Sequence, residues 1–115
     1  MKRFKFCLIA LLIIFIIIIF IPRNQSSKIT IEEMYEIIDD GIIIDVRTSS
    51  EYESYNLSDS INIPLDDIYS VEDIIIDKDT QIFVYCATGN RSSQAYNILI
   101  NLEYTNVYDI GGIYN

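Results

Sequence analysis

After residue 28 the chain is punctuated by short apolar runs: Ile42–Val46, Ile61–Ile63, Ile82–Tyr85 and Val107–Ile110. Ile82–Tyr85 is continuous, and Ile42–Val46 is broken only by Asp45. That is the pattern of a strand buried on both faces. The stretches between them read as helices. Thr30 followed by Glu33 forms a capping box for a helix reaching about Asp39, and Asp40-Gly41 ends it. Ser49 or Ser50 can cap a short helix carrying Glu51 to Tyr55. Pro64 closes the second strand, and Leu65 to Ile76 holds one or two short helices. A longer helix is predicted over Ser93 to Leu102. Strands alternating with helices predict an α/β fold, a mostly parallel sheet flanked by helices on both faces. Ligands of such sheets bind beyond the carboxyl ends of the strands.

The first residues follow a different pattern. Lys2, Arg3 and Lys5 precede an unbroken apolar run from Phe6 to Ile21, which has no polar face. As a helix the run spans roughly 24 Å, slightly less than a hydrocarbon core. It is long for a signal peptide, and Pro22-Arg23-Asn24-Gln25 offers no small-residue cleavage site. The expectation is a single-pass membrane anchor over residues 1–23, a polar linker over 24–28 and a domain over 29–115. The cations before the run place the domain on the extracytoplasmic side. Cleavage of the run would instead yield a secreted protein.

Charge narrows the classes of partner. From Ile29 onward the cations are Arg47, Lys78 and Arg91, set against all 17 carboxylates, a formal charge of −14. Such a surface repels nucleic acid. There are two cysteines, Cys7 in the apolar run and Cys86, and no histidine. A disulfide within the domain is thereby excluded, and a lone thiol without histidine cannot build a metal site. No cofactor is implied.

The candidate chemistry lies in Cys86-Ala87-Thr88-Gly89-Asn90-Arg91-Ser92, between a predicted strand and a predicted helix. Backbone N–H groups of such a loop and of the first helical turn converge on one point, and the helix dipole adds to them. A thiolate held there is stabilised, and its pKa falls. Gly89 permits backbone angles closed to other residues. Arg91 supplies a permanent cation at the rim. The alternative is a structural cysteine ending a core strand.

The spacing resembles the active-site loop of rhodanese domains, the sulfurtransferase family. Ile42-Ile43-Ile44-Asp45-Val46-Arg47 resembles that family's first motif, and Ser49-Ser50-Glu51-Tyr52 the short helix after it. Ser60 to Leu65 and Asn106 to Ile113 resemble two later segments, so the similarity runs in order from about Ile29 to Asn115. Asn56 stands where the family often has histidine, and the tryptophan common after Gly111-Gly112 is absent. The resemblance also leads one to expect a last helix after that turn, and it is missing from this sequence.

The resemblance implies that Cys86 takes sulfane sulfur from thiosulfate or a persulfide and passes it to a thiophilic acceptor, a small thiol or a partner protein. It assigns Ala87, Thr88, Gly89, Asn90, Arg91 and Ser92 to substrate binding, with Arg91 holding an anionic donor. Asp45 and Arg47 are expected to make structural hydrogen bonds beneath the loop, with Arg47 pairing to Glu51 or Glu53. Tyr85 and Tyr96 read as core or rim aromatics. Two other functions are compatible with the residues. One is a non-catalytic, membrane-tethered binding module. The other is a Cys-dependent phosphatase or arsenate-type enzyme, whose loops enclose five residues where this one encloses four.

Overall fold

The computed structural model describes residues 2–20 and 27–114. The elements are α1 (Lys2–Phe20), α2 (Ile31–Ile37), β1 (Ile42–Asp45), α3 (Ser49–Ser54) and β2 (Ser60–Asn62). A 3₁₀ helix (Leu65–Ser70) leads into α4 (Val71–Ile74), followed by β3 (Ile82–Cys86), α5 (Asn90–Asn101) and β4 (Val107–Gly112). The α/β class and the sheet flanked by helices are as the pattern predicts.

Among the described residues the strands form one parallel sheet in the order β2-β1-β3-β4. The chain runs outward from β1 to β2, then returns past β1 to β3 and β4. The direction of winding therefore reverses between β1 and β3. Sheets of this kind bind ligands beyond the carboxyl ends of the strands at such a reversal. Asp45 and Tyr85 are register partners at that point. Between β3 and β4 the register slips at Val84/Tyr85, so that Val84 faces Asp109 while Tyr85 faces Gly111. This bulge brings Gly112 opposite Cys86.

Alternating residues fill the two faces of the sheet. Ile44, Val46, Val84 and Cys86 pack with Ala95 and Leu99 of α5, and with Ile68, Val71 and Ile75. Ile43, Phe83, Tyr85 and Ile110 pack with Met34 of α2 and with Leu57. The second face is therefore covered: Ile43 is 3% exposed and Phe83 and Tyr85 are fully buried. Of the aromatics read as core or rim, Tyr85 is core, and Tyr96 packs half-buried at the edge of the first cluster.

Several boundaries differ from the sequence expectation. Thr48, one residue before Ser49, caps α3 in a full capping box with Glu51. Helix α5 starts at Asn90 instead of Ser93. Ser27 and Lys28, expected to be linker, lie along β4: Asp109 N donates to Ser27 O at 2.7 Å, and Lys28 bridges Asp109 in parallel. The rest of the expected linker, 24–26, lies outside the described residues, as do 21–23 at the end of the expected anchor.

The anchor itself is not supported. Among the described residues, no helix is long and apolar enough to cross a membrane. Helix α1 has 19 residues and begins with Lys2, Arg3 and Lys5. Charge thus occupies its first turns. The apolar remainder spans about 22 Å, against the roughly 30 Å of a hydrocarbon core.

Candidate active site

Strands β1 and β3 deliver the candidate site residues to the carboxyl edge of the sheet. Arg47 leaves the end of β1, and Asp45 and Arg47 are both fully buried. Residues two apart in extended chain point to one side, so the two side chains meet. Arg47 Nη2 donates to Asp45 Oδ2 at 2.8 Å, and Arg47 Nε donates to both Asp45 oxygens at 3.1 Å. Arg47 also donates to the Tyr55 carbonyl and, at 3.2 Å, to the Tyr114 hydroxyl. Asn62 Nδ2 ties the segment down through Asp45 O and Arg47 O, both at 3.0 Å. The pairing of Arg47 with Glu51 or Glu53 is thus corrected. A buried guanidinium needs a buried counter-charge, and Asp45 supplies it.

Cys86 is the last residue of β3 and is fully buried. Ala87 and Thr88 turn the chain. Gly89 then stands as N-cap of α5 at φ +102°, a left-handed conformation that side chains rarely tolerate. Because α5 begins at Asn90, Arg91 and Ser92 lie in its first turn, where backbone N–H groups have no intrahelical acceptor. Gly89 N donates to Cys86 Sγ at 3.0 Å. Burial alone would push the thiol up. Hydrogen bonds from the Ser92 hydroxyl and from the backbone of Ser92, Gly89 and Thr88 outweigh it, and the Cys86 pKa falls below its ordinary 9.0.

Ser92 is fully buried, with its hydroxyl also 3.2 Å from Gly89 O. The turn after β4 supports the loop from behind: Ile113 N donates to Cys86 O at 3.0 Å and Tyr114 N to Ala87 O at 3.2 Å. Asn90 Oδ1 accepts from Gln94 Nε2 at 2.7 Å along the helix. A groove of about 520 Å³ flanks the other side of the loop, lined by Thr88, Gly89, Gly111, Gly112 and the start of α2.

Arg91 lies at the rim, where it donates to both oxygens of Glu51, at 2.7 and 3.0 Å. Arg91 holds the Glu51 carboxyl well down, at about 2, although partial burial opposes this; Thr48 hydrogen bonds add to the lowering. Glu51 is the site residue that sequence reasoning assigned elsewhere. A signal for its fixed position was present: Thr48-Ser49-Ser50-Glu51 is itself a capping-box pattern. Tyr55, Asn62 and Tyr114 carried no such signal. Asn56, at the position often histidine in rhodanese domains, donates to Tyr52 O at 2.9 Å and closes its own turn. Among the described residues no group of His, Cys, Asp and Glu side chains is placed to hold a metal.

Residues 30–115 match the family model for the rhodanese-like domain. The thiosulfate sulfurtransferase PspE of Escherichia coli is 37% identical over 71 residues, covering 61% of this chain and 68% of the relative. A tRNA sulfurtransferase of Thermoplasma acidophilum is 39% identical over 69 residues, covering 60% of this chain but only 14% of the relative. Among solved structures, a rhodanese with anions from E. coli superposes with a TM-score of 0.61 at 35% identity, covering 64% of this chain and 87% of that one.

Proposed function

We propose, for a chain that belongs to the rhodanese-like domain family, that Cys86 carries sulfur as a persulfide between a sulfane-sulfur donor and a thiophilic acceptor. The observation that carries this reading is the hydrogen bond that Gly89 N donates to Cys86 Sγ at 3.0 Å. That donor stabilises an anion on sulfur, the form that attacks.

With thiosulfate, the Cys86 thiolate attacks the outer sulfur. A bond from Sγ to that sulfur forms, and the donor's S–S bond breaks with its electron pair leaving on sulfite. With a persulfide donor, the leaving group is a thiolate. The enzyme-bound persulfide keeps a single negative charge, now on the outer sulfur. Loop N–H groups of residues 87–92 and the positive end of α5 oppose that charge. An acceptor such as cyanide or a thiol takes the outer sulfur and returns the thiolate. No electron carrier is needed, since each step exchanges one sulfur–sulfur or sulfur–carbon bond for another. Because Cys86 is fully buried, residues 87–91 must yield by about the width of one atom to admit the donor sulfur.

A phosphatase-type reaction is less well supported. Four residues separate Cys86 from Arg91, and backbone of β4 presses against the loop from behind. A Cβ built on Gly112 would lie 2.5 Å from Ala87 O, which leaves no slack for a wider cradle. A non-catalytic module would have no need of a backbone donor on Cys86 Sγ.

We further infer that the chain associates with membranes through the apolar run Phe6–Ile21 and the cations before it, without crossing them. Sedimentation of the full chain with carbonate-washed membranes supports this inference, and recovery in the supernatant refutes it.

The test of function is intact-mass measurement of the full chain after incubation with thiosulfate, beside Cys86→Ser. The expected result is a gain of one sulfur atom, removed by cyanide and absent from the variant. A folded protein that gains nothing from thiosulfate or from a persulfide overturns the reading in favour of a binding module.

A further inference from the structure

The charge at the rim of the loop is already neutralised. Arg91 meets Glu51 through two parallel hydrogen bonds at 2.7 and 3.0 Å. Glu51 is in turn held by Thr48, whose N and Oγ1 donate to Glu51 Oε1 at 3.3 and 3.0 Å. The position of the guanidinium is thus set by α3, from outside the loop.

Among the described residues of the domain, the other cations have partners of their own. Arg47 is consumed by Asp45 at 2.8 Å. Lys78 pairs with Glu72 at 3.0 Å and lies 4.2 Å from the Tyr104 ring centre. It precedes β3, at the opposite end of the strand from Cys86. Lys28 shares the flanking groove with Glu32, Glu33 and Asp109. An approaching donor therefore meets a thiolate, a compensated arginine and the field of a domain with formal charge −14. Repulsion scales with the product of charges, so a dianion is opposed about twice as strongly as a monoanion.

We propose that Glu51 is a positioning and selectivity residue that biases the site against dianionic thiosulfate and toward sulfane-sulfur donors of at most one negative charge, such as persulfides and thiosulfonates. This rests on the sulfurtransferase reading above. Two probes of the same chemistry isolate the effect. Thiosulfate carries two charges and expels sulfite. Methanethiosulfonate carries one, presents the same terminal sulfur, and expels methanesulfinate. In both, the Cys86 thiolate forms an S–S bond as the donor's bond breaks with its electron pair on the leaving group.

The experiment measures second-order rate constants for sulfuration of the full chain by each probe, by intact mass, for wild type and Glu51→Gln at low and high salt. The readout is the ratio between probes, since the two differ in intrinsic reactivity. In Glu51→Gln the thiosulfate rate is expected to rise and the preference for the monoanion to shrink about three- to tenfold. In wild type, added salt is expected to speed thiosulfate more than methanethiosulfonate. The salt series needs no variant, so it stands even where the substitution impairs folding. An unchanged ratio, an equal loss with both probes, or salt effects equal for both overturns the proposal. Should neither probe nor a persulfide sulfurate wild type, the sulfurtransferase reading fails and the proposal falls with it.

Discussion

Alanine at Gly112 should push the Cys86 loop out of place. A Cβ there would lie 2.5 Å from Ala87 O, 2.6 Å from Thr88 Cα and 2.7 Å from Thr88 C, where ordinary contact begins at 3.4 Å. All three atoms are backbone, so no side chain can swing aside. The bonds from Ile113 N to Cys86 O and from Tyr114 N to Ala87 O, at 3.0 and 3.2 Å, tie the loop to the segment that follows β4. Relieving the overlap stretches those bonds and displaces the loop relative to β4 by about 0.8 Å, the shortfall between those contact distances. That shift disrupts the 3.0 Å bond from Gly89 N to Cys86 Sγ. Misplacement on this scale costs about 10²-fold in rate, and overpacking costs about 1–3 kcal/mol of stability.

Gly111→Ala is the matched control. Gly111 sits at φ +84° with no atom within 4 Å of a built Cβ. Alanine there strains the backbone by about 1–2 kcal/mol but presses on nothing. The two variants should lose similar stability in urea denaturation and differ sharply in the single-turnover rate of Cys86 sulfuration. Wild-type rate in Gly112→Ala, or equal loss in both variants, would refute the view that β4 holds the loop in register.

Other consequences follow from the same contacts. Asp45→Asn leaves the buried Arg47 without its counter-charge; the expected cost is about 3–5 kcal/mol, read as a lower urea midpoint at unchanged slope. A cost under about 1 kcal/mol would show that water reaches the pair. Ser92→Ala removes the strongest of the hydrogen bonds that lower the Cys86 pKa. The inflection in iodoacetamide rate against pH, expected below 9.0 in wild type, should move up, and the rate at neutral pH should fall. An unmoved inflection would leave the backbone alone holding the thiolate. Glu51 has a folded pKa of about 2 against an ordinary 4.5. Its contribution to stability is complete above the ordinary value and is lost as pH falls from there toward 2. Both partners are about one-third exposed, so after discounting for solvent screening the contribution is about 1 kcal/mol. The stability gap between wild type and Glu51→Gln should close over that acid range, and a pH-independent gap would contradict it.

Strands β1 and β3 were legible in the sequence because they are buried on both faces, which leaves a nearly continuous apolar run with one interpretation. The start of α5 was not. Whether Asn90 to Ser92 form loop or first turn depends on the left-handed angle at Gly89 (φ +102°), which sequence permits but does not require. The cap of α3 was equally open, since Thr48, Ser49 and Ser50 can all serve. The apolar run of α1 was plain, whereas crossing a membrane depends on how many charged residues the helix takes into its length.

The chemistry divides along the same line. Cys86 at the end of a buried strand, with Gly89 and Arg91 after it, could be recognised from order and spacing, because those are local properties of the chain. The partner of each charge could not. Arg47 had Asp45, Glu51 and Glu53 within reach along the sequence, and Arg91 had no evident partner. Tertiary structure decided both. Placing β1 beside β3 brought Glu51 to Arg91 across 40 positions, and burial at the end of β1 left Arg47 with Asp45 as its counter-charge. Sequence determined which groups the site contains. The parallel neighbours of the sheet determined which of those charges cancel, because electrostatic pairing depends on distance in space and on exclusion of water, neither of which is a property of the chain alone.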